Sequence, residues 1–400
     1  MAFIFVAHDT PEPSLYGAMA AILAAQKNLP LAHLPVSWDV ARYPDACQHV
    51  IGEGQLMTSG LLWTERLNPQ SAGKVMELDQ LLETYGTQDV IIPLGTMQIV
   101  QFPQIARRVR ESTFDYELIN VERSNQGYAF SRHGMEDESL GCWWRDHYGR
   151  WISKNTPPQT RTPLRIALVG AQSDQCSVYP ATLAALGDAA DALMLSLDIV
   201  YAAPMALEDH LHEVMESVDG ILLPGGAAMC NVSGQISAAH YALNRNIPIL
   251  GLCLGMQTMT TAIVQKMVGS SKANLAEADP DAEIKTFVPL SNTPAFPVHR
   301  LGNHTMLTQP DSKLREILGE TFTVRYNHRF HLEPALKAGL EAYGLRISGT
   351  DITGQIADGI EFPRHPFYLG VQGHPELSSL RIKPHPLLTA FLKAAGLKRG

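Results

Sequence analysis

Long hydrophobic segments are missing from this 400-residue sequence. Its apolar runs have the length of a β-strand, whereas a transmembrane helix needs about 20 consecutive apolar residues. We therefore do not expect a membrane protein. The N-terminal stretch MAFIFVAHDT has no basic residues ahead of its apolar part, and His8 and Asp9 follow directly. We therefore expect a buried first strand there rather than a signal peptide.

Cysteine is also scarce. The five cysteines are odd in number, widely spaced and without a C-x-x-C pair: Cys47, Cys142, Cys176, Cys230 and Cys253. Such a set supports neither a disulfide framework nor a zinc site, and it is typical of a protein in a reducing compartment. We expect a cytoplasmic protein that needs no metal and no cofactor.

An excess of positive charge is lacking as well. Lysine and arginine number 31 against 40 acidic residues, for a net charge of −9. This balance argues against a broad nucleic-acid-binding surface, because such surfaces are rich in basic side chains. With 45% hydrophobic and 18% charged residues, the composition is typical of a globular protein.

Regular strand–helix alternation is what the sequence does contain. The stretch NTPPQTRTP at residues 155–163 has three prolines and no apolar periodicity, which predicts a linker at 156–163. Residues 1–155 suggest a separate N-terminal α/β domain with a late aromatic hairpin. Residues 164–396 alternate strands with helices, which predicts a doubly wound parallel sheet covered on both faces. Ligands of such sheets bind at the carboxyl ends of the strands.

One strand end carries a cysteine between glycines. The apolar strand IPIL is followed by GLCLGMQ, in which Gly251 and Gly255 flank Cys253. A nucleophile on a sharp strand-to-helix turn needs such small neighbours. The helix that follows favours a thiolate at its N-terminus, and the backbone N–H of Leu254 is available to a developing oxyanion. The alternative is a buried, inert core cysteine.

A base for this thiol stands near the C-terminus. The apolar segment FYLGV predicts a strand, and GHPE follows it, with His374 and Glu376 two residues apart. His374 is suited to take the thiol proton, and Glu376 to hold the imidazole in the required tautomer. A glycine-flanked cysteine, a Gly-Gly strand end upstream and a late His-x-Glu together favour catalysis over a structural role.

These motifs resemble those of class I, triad-type glutamine amidotransferases. PGG, GLCLGMQ and GHPE carry the resemblance, and HRLGNHTML, YNHRFHLEP, YGLRISG and HPLLTAFLKAA extend it to the glutaminase domain of CTP synthase. The resemblance covers about residues 164–396 and implies a flavodoxin-like fold. It also implies that Gly225 or Gly226 joins Leu254 as an oxyanion donor, and that glutamine is held by Gln257, Glu277 and Arg329.

The sequence departs from that family in places. Ala227 and Ala228 stand where Phe-Gly follows the PGG motif in CTP synthase, so control by GTP is in doubt. Gly373 replaces the usual aromatic residue before the histidine, which predicts less wall around the substrate. Residues 1–155 contain no G-x-x-x-x-G-K-[ST] phosphate loop, so we expect no complete CTP synthase.

Three hypotheses follow. The favoured one is an amidotransferase that hydrolyses L-glutamine and passes ammonia to a biosynthetic acceptor, with a nucleotide-like or heterocyclic compound as the leading candidate. That acceptor is expected to be bound by the N-terminal domain or by a partner. The partners that the sequence leaves open are a synthetase and a second copy of the chain in a homo-oligomer. The alternatives are a stand-alone γ-glutamyl amide hydrolase and a non-catalytic regulatory or binding protein with the same fold.

Overall fold

The structure of the chain, a computed structural model, describes residues 2–67, 72–124, 127–132, 135–153, 163–204, 207–291 and 297–397. The predicted linker at 156–163 lies outside these ranges except for its last residue, so the predicted domain boundaries stay a prediction. None of the helices within these ranges is both long and apolar enough to cross a membrane.

Strands and helices follow one another along the described chain. The strands are β1 (Ala2–Ala7), β2 (His49–Val50), β3 (Leu56–Met57), β4 (Val90–Leu94), β5 (Asp115–Ser124), β6 (Gly127–Arg132), β7 (Met135–Arg145), β8 (Trp151–Ile152), β9 (Leu164–Leu168), β10 (Leu197–Tyr201), β11 (Gly220–Leu223), β12 (Ile249–Leu252), β13 (Ala273–Asn274), β14 (Ile284–Lys285), β15 (Phe287–Pro289), β16 (Arg300–Thr308), β17 (Thr321–His328), β18 (Phe330–Leu332), β19 (Arg346–Asp351), β20 (Ala357–Glu361) and β21 (Tyr368–Val371). The α-helices are α1 (Ala18–Lys27), α2 (Leu62–Leu67), α3 (Leu78–Tyr85), α4 (Thr96–Glu111), α5 (Gln172–Ser177), α6 (Ala181–Ala192), α7 (Leu207–Met215), α8 (Val232–Arg245), α9 (Leu254–Val268), α10 (Lys313–Leu318), α11 (Lys337–Tyr343) and α12 (Pro386–Leu397).

The chain divides into two compact units. The first comprises residues 1–49, 56–158 and 173–184, and the second comprises residues 50–55, 159–172 and 185–400. The first unit contains a sheet of order β4-β1-β5-β6-β7-β8. Its β4, β1 and β5 are parallel, and β6 to β8 continue antiparallel, as the aromatic hairpin segment predicts.

Helix α4 of the first unit differs from the sequence-based expectation. The stretch TMQIVQFPQIARRVRES predicts a helix that is broken near Pro103, because proline disfavours a helix interior, but the helix continues through this residue to Glu111. Proline removes one backbone hydrogen bond from a helix interior. Ile105 and Val109 are buried on the same helix, so packing of its apolar face offsets that loss, and the predicted break is wrong.

The second unit contains a nine-stranded sheet of order β10-β9-β11-β12-β21-β20-β19-β16-β17. The first five strands are parallel, which confirms the predicted α/β sheet. The remaining four are antiparallel, an extension that the strand–helix alternation does not predict. Strands β11, β12 and β21 are neighbours, so their carboxyl ends lie side by side.

Helix α9 is buried in this unit along its whole first part, from Leu254 to Val264. Its three buried threonine hydroxyls each bond to a carbonyl oxygen three or four residues earlier, at 2.9 to 3.0 Å. These bonds satisfy the hydroxyls in an apolar environment. The helix ends at Gly269, whose φ of 67° is the left-handed conformation that glycine favours.

Candidate active site

Cys253 lies on a strained turn between β12 and α9. Its φ of 49° and ψ of −105° are unusual for a residue with a side chain. The flanking glycines make this turn sterically feasible. A Cβ atom on Gly251 would lie 2.5 Å from the sulfur of Met259, and one on Gly255 would lie 2.2 Å from the carbonyl oxygen of Leu223. The predicted elbow geometry is therefore present.

The thiol of Cys253 is 7% exposed and has two polar neighbours. Its Sγ donates to the backbone oxygen of Asn327 at 3.8 Å, and the side-chain Nε2 of Gln372 donates to Sγ at 3.5 Å. Helix α9 begins at the next residue, Leu254, so its N-terminal backbone dipoles are directed towards the sulfur. The surroundings thus include both an acceptor for a thiol and donors for a thiolate.

His374 and Glu376 follow β21 and form a buried pair. Nδ1 of His374 lies 2.7 Å from Oε1 of Glu376, and the two residues are 4% and 0% exposed. Burial lowers the pKa of His374, but its electrostatic and hydrogen-bond interactions with Cys253 and Glu376 outweigh that effect and raise the pKa well above its usual value. Nε2 of His374 has no hydrogen bond of ordinary geometry among the described residues.

Gly225, just beyond β11, lies against both the cysteine and the histidine. A Cβ atom there would lie 2.8 Å from Cε1 of His374 and 3.2 Å from Cβ of Cys253. The next residue, Gly226, has a φ of 155°. The structure thus brings the PGG segment, the cysteine and the histidine together at the carboxyl ends of three adjacent strands.

Gln257 lies one helical turn beyond Cys253 and is 3% exposed. Its Nε2 donates to Oε1 of Gln372 at 3.3 Å. Its own Oε1 is buried without a hydrogen-bond partner among the described residues. The amide oxygen is therefore available to a substrate donor.

Glu277 and Arg329 are exposed residues that lie near each other. Partial burial raises the pKa of Glu277, and the positive charge of Arg329 offsets part of that rise. Arg329 is two residues beyond Asn327, whose carbonyl contacts the thiol. This spacing places the arginine backbone close to the cysteine turn.

Three polar residues beside the site are missed by the sequence analysis. His299 Nε2 lies 2.8 Å from the side-chain oxygen of Asn327, and burial lowers the pKa of this histidine. Gln372 contacts the thiol directly. Its spacing of two from His374 at a strand end is the signal that could have identified it, since alternate residues of a strand share a face. For Asn327 and His299 the sequence contains no comparable pattern.

The space beside Gly373, the residue before His374, is occupied by a valine side chain. A Cβ atom on Gly373 would lie 2.8 Å from both methyl carbons of Val324, a residue that is 3% exposed. The valine thus occupies the space that a side chain at position 373 would need. Cys230, the other cysteine near the PGG segment in sequence, is exposed.

Comparisons with known proteins identify the family of this chain. The family model described as glutamine amidotransferase class-I matches residues 188–394, just over half of the chain. CTP synthase from Acidothermus cellulolyticus is 33% identical over 247 residues, which are 58% of this chain and 44% of that protein. CTP synthase from Brucella melitensis biotype 1 is 31% identical over 310 residues, covering 72% of this chain and 57% of that protein.

One solved structure extends the likeness to three dimensions. The glutaminase domain of Trypanosoma brucei CTPS with bound acivicin matches with a TM-score of 0.55 and 29% identity, covering 58% of this chain and 94% of that one. The predicted flavodoxin-like fold is thereby confirmed. The chain spans about half the length of the curated relatives it matches. The family model and the shared fold establish that this chain belongs to the class-I glutamine amidotransferases and is similar to CTP synthase.

Proposed function

We propose that this chain hydrolyses the side-chain amide of L-glutamine at Cys253 and supplies the ammonia to an acceptor. The observation that carries the proposal is that a buried thiol on a strained turn and the His374 ring lie against the same residue, Gly225. His374 is in turn held by Glu376 at 2.7 Å. A structural cysteine has no need for either feature, because inert buried thiols behave as small apolar groups.

In the first half-reaction, the Cys253 sulfur attacks the amide carbon of glutamine. The thiol proton passes to Nε2 of His374, and the carbonyl oxygen becomes an oxyanion. Backbone N–H groups of Leu254 and of Gly225 or Gly226 stabilise that charge. His374 then protonates the leaving nitrogen, so ammonia departs and a glutamyl thioester forms. Glu376 keeps the ring in the tautomer that this exchange requires.

In the second half-reaction, water attacks the thioester carbon. His374 removes a proton from the water, and the same N–H groups hold the second oxyanion. The carbon–sulfur bond then breaks, glutamate leaves, and the proton returns to the Cys253 sulfur. The sum is glutamine and water converted to glutamate and ammonia.

The non-reacting end of glutamine carries an ammonium and a carboxylate, and oppositely charged groups are present for both. Glu277 suits the ammonium, and the Arg329 guanidinium suits the carboxylate. The raised pKa of Glu277 indicates incomplete solvation of its charge, which a bound ammonium would relieve. The unpartnered Oε1 of Gln257 is a third candidate contact.

The ammonia acceptor is the open part of the proposal. Relatives are CTP synthases, which favours a nucleotide-like or heterocyclic acceptor. Residues 1–155 lack the phosphate loop motif G-x-x-x-x-G-K-[ST]. We therefore propose that the acceptor is already electrophilic or is activated by a partner synthetase, and that this chain is not a complete CTP synthase.

The proposal is tested by measuring glutamate and ammonia formed from glutamine by wild type, Cys253→Ala and Cys230→Ala. Cys230 is the matched control, since it is an exposed thiol in the same unit. We expect the first substitution to abolish hydrolysis and the second to leave it unchanged. Acivicin, which is bound in the T. brucei glutaminase domain, provides a readout that does not depend on the acceptor.

Mass spectrometry after incubation with acivicin should locate an adduct on Cys253. Labelling of Cys230 with Cys253 untouched would refute the assignment of the nucleophile. Faster hydrolysis of γ-glutamyl anilides than of glutamine would favour the amide-hydrolase alternative. Absence of both hydrolysis and labelling would favour the non-catalytic one.

A further inference from the structure

We propose that Gln372 is a positioning residue that stabilises the Cys253 thiolate through its side-chain amide, and that Gln257 fixes the orientation of that amide. The inference rests on the proposed function where it concerns glutamine turnover. Its core, the reactivity of one thiol, can be measured without glutamine.

Three hydrogen bonds form a closed ring that includes the sulfur. The Gln372 Nε2 donates to Cys253 Sγ at 3.5 Å, and the Gln257 Nε2 donates to Oε1 of Gln372 at 3.3 Å. The backbone N–H of Gln257 donates to the carbonyl oxygen of Cys253 at 3.2 Å, as a helical bond of α9. Because the oxygen of Gln372 already accepts from Gln257, its nitrogen is the atom turned to the sulfur.

The amide of Gln372 has little freedom to move. The residue is fully buried, and its backbone N–H bonds to the carbonyl oxygen of Asp358 at 2.9 Å. Asp358 itself is held by a buried two-pronged ion pair with Arg300, with contacts of 2.6 and 2.9 Å. A donor fixed in this way loses little conformational entropy when the sulfur becomes charged.

The second polar neighbour of the sulfur has the opposite effect. The Asn327 carbonyl oxygen accepts the thiol proton at 3.8 Å, which favours the neutral thiol, whereas a thiolate would face that oxygen without a proton between them. The Gln372 N–H favours the charged form, since hydrogen bonds to ionised acceptors are roughly twice as strong as neutral ones. The thiolate fraction of Cys253 therefore depends on a balance that Gln372 can shift.

A neutral amide suits both half-reactions. The sulfur leaves as a thiolate when the thioester is hydrolysed, so a donor that stabilises the attacking thiolate also stabilises the leaving one. A lysine in this buried position would add a second positive charge next to protonated His374. Gln372 supplies a hydrogen bond without that repulsion.

The test uses the full chain with Gln372→Met, which keeps the side-chain length and removes the donor. Iodoacetamide, a small neutral reagent, alkylates thiolates, and peptide mass spectrometry quantifies the adduct on Cys253 over a range of pH. We expect the alkylation rate at neutral pH to fall about tenfold, as for the loss of a hydrogen bond to a charged group. Cys230 serves as an internal reference whose rate stays constant.

Gln257→Met provides a second variant that leaves the Gln372–sulfur contact in place but releases the amide to rotate. It should lower the alkylation rate in the same direction by a smaller factor, and it keeps the inference testable if Gln372→Met does not fold. Gln265→Met is the matched control, because Gln265 lies on the same helix and bonds to the Ala273 carbonyl at 2.8 Å, remote from the sulfur along α9. This control should react like wild type.

Glutamine kinetics separate this inference from the proposed function. If both hold, Gln372→Met lowers kcat several-fold with KM within about twofold of wild type. An unchanged alkylation profile in folded Gln372→Met and Gln257→Met would overturn the inference even if the enzyme hydrolyses glutamine. A shifted profile in a protein that never hydrolyses glutamine would support the inference and overturn the proposed function.

Discussion

Replacing Gly225 by alanine adds one methyl group where the proposed nucleophile, the proposed base and the PGG segment meet. The added Cβ would lie 2.8 Å from Cε1 of His374 and 3.2 Å from Cβ of Cys253. Gly225 is not among the glycines with positive φ, so an alanine meets no backbone strain there. The perturbation is therefore a local one between the methyl group and the imidazole ring.

The distances set the size of the effect. Ordinary carbon contacts begin near 3.4 Å, so the ring or the loop must shift by roughly 0.6 Å. The ring cannot shift freely, because its Nδ1 is held at 2.7 Å by the buried Glu376. Misplacement of a catalytic group by about 1 Å can lower the rate about 100-fold. We expect Gly225→Ala to lower kcat on that order, equivalent to about 2.7 kcal/mol.

Glutamine hydrolysis by Gly225→Ala, compared with wild type, measures this effect, with kcat and KM determined separately. Gly396→Ala is the control, since a Cβ atom at Gly396 in α12 meets nothing within 4 Å. The control should retain full activity and gain some stability, because alanine is the better helix former. A kcat within threefold of wild type for Gly225→Ala would refute the claim that this contact constrains His374.

Three further predictions concern charge. Burial lowers the pKa of His328 and of His385 to about 3, so the unfolded chain binds these protons first as pH falls below about 6.5. The free energy of unfolding should then decrease by roughly 2 kcal/mol per histidine between pH 7 and pH 5. Urea titrations at both pH values measure this decrease, and it should be smaller in His385→Asn. The same decrease in the variant as in wild type would contradict the prediction. Glu376→Gln should lower kcat by roughly 10² to 10⁴-fold with little change in KM, since the histidine loses its orienting carboxylate; a changed KM alone would contradict that role. Glu277→Gln should instead raise KM about tenfold at nearly constant kcat in the same assay, because its proposed contact is with the non-reacting end of glutamine. An effect on kcat alone would exclude Glu277 from substrate binding.

Much of the fold and the proposed triad can be predicted from sequence because their signals are local. Strand–helix alternation predicts the parallel strands β9 to β12, since buried parallel strands are continuously apolar. The glycines around Cys253 are required because a Cβ atom added to either would lie only 2.2 to 2.6 Å from neighbouring backbone atoms. Where the local backbone permits only glycine, the glycine itself in the sequence predicts the tight turn.

The polar surroundings of the sulfur are less predictable because they depend on tertiary contacts. Asn327 lies on β17, 74 positions from the cysteine, and contacts it through a backbone carbonyl that any residue would supply. Asn327 lies in the antiparallel part of the sheet, and the alternation of strands with helices along the sequence does not predict that part. Likewise, Val324 fills the space next to Gly373. The sequence shows that an aromatic residue is replaced by glycine at position 373, but it does not show which side chain occupies the space.

The order of strands in the sheet links these separate features into one arrangement. Neighbouring strands β11, β12 and β21 are followed within three residues by Gly225, Cys253 and His374. The proposed oxyanion donors, nucleophile and base thus come from three adjacent strand ends. Gln372 follows β21 on the same segment as His374. A displacement of β21 against β12 would therefore change the base and the proposed thiolate donor together. This coupling predicts that substitutions of residues at the contact between β12 and β21 alter thiol reactivity and glutamine turnover in parallel. Substitutions at Glu277 or Arg329 should alter turnover alone.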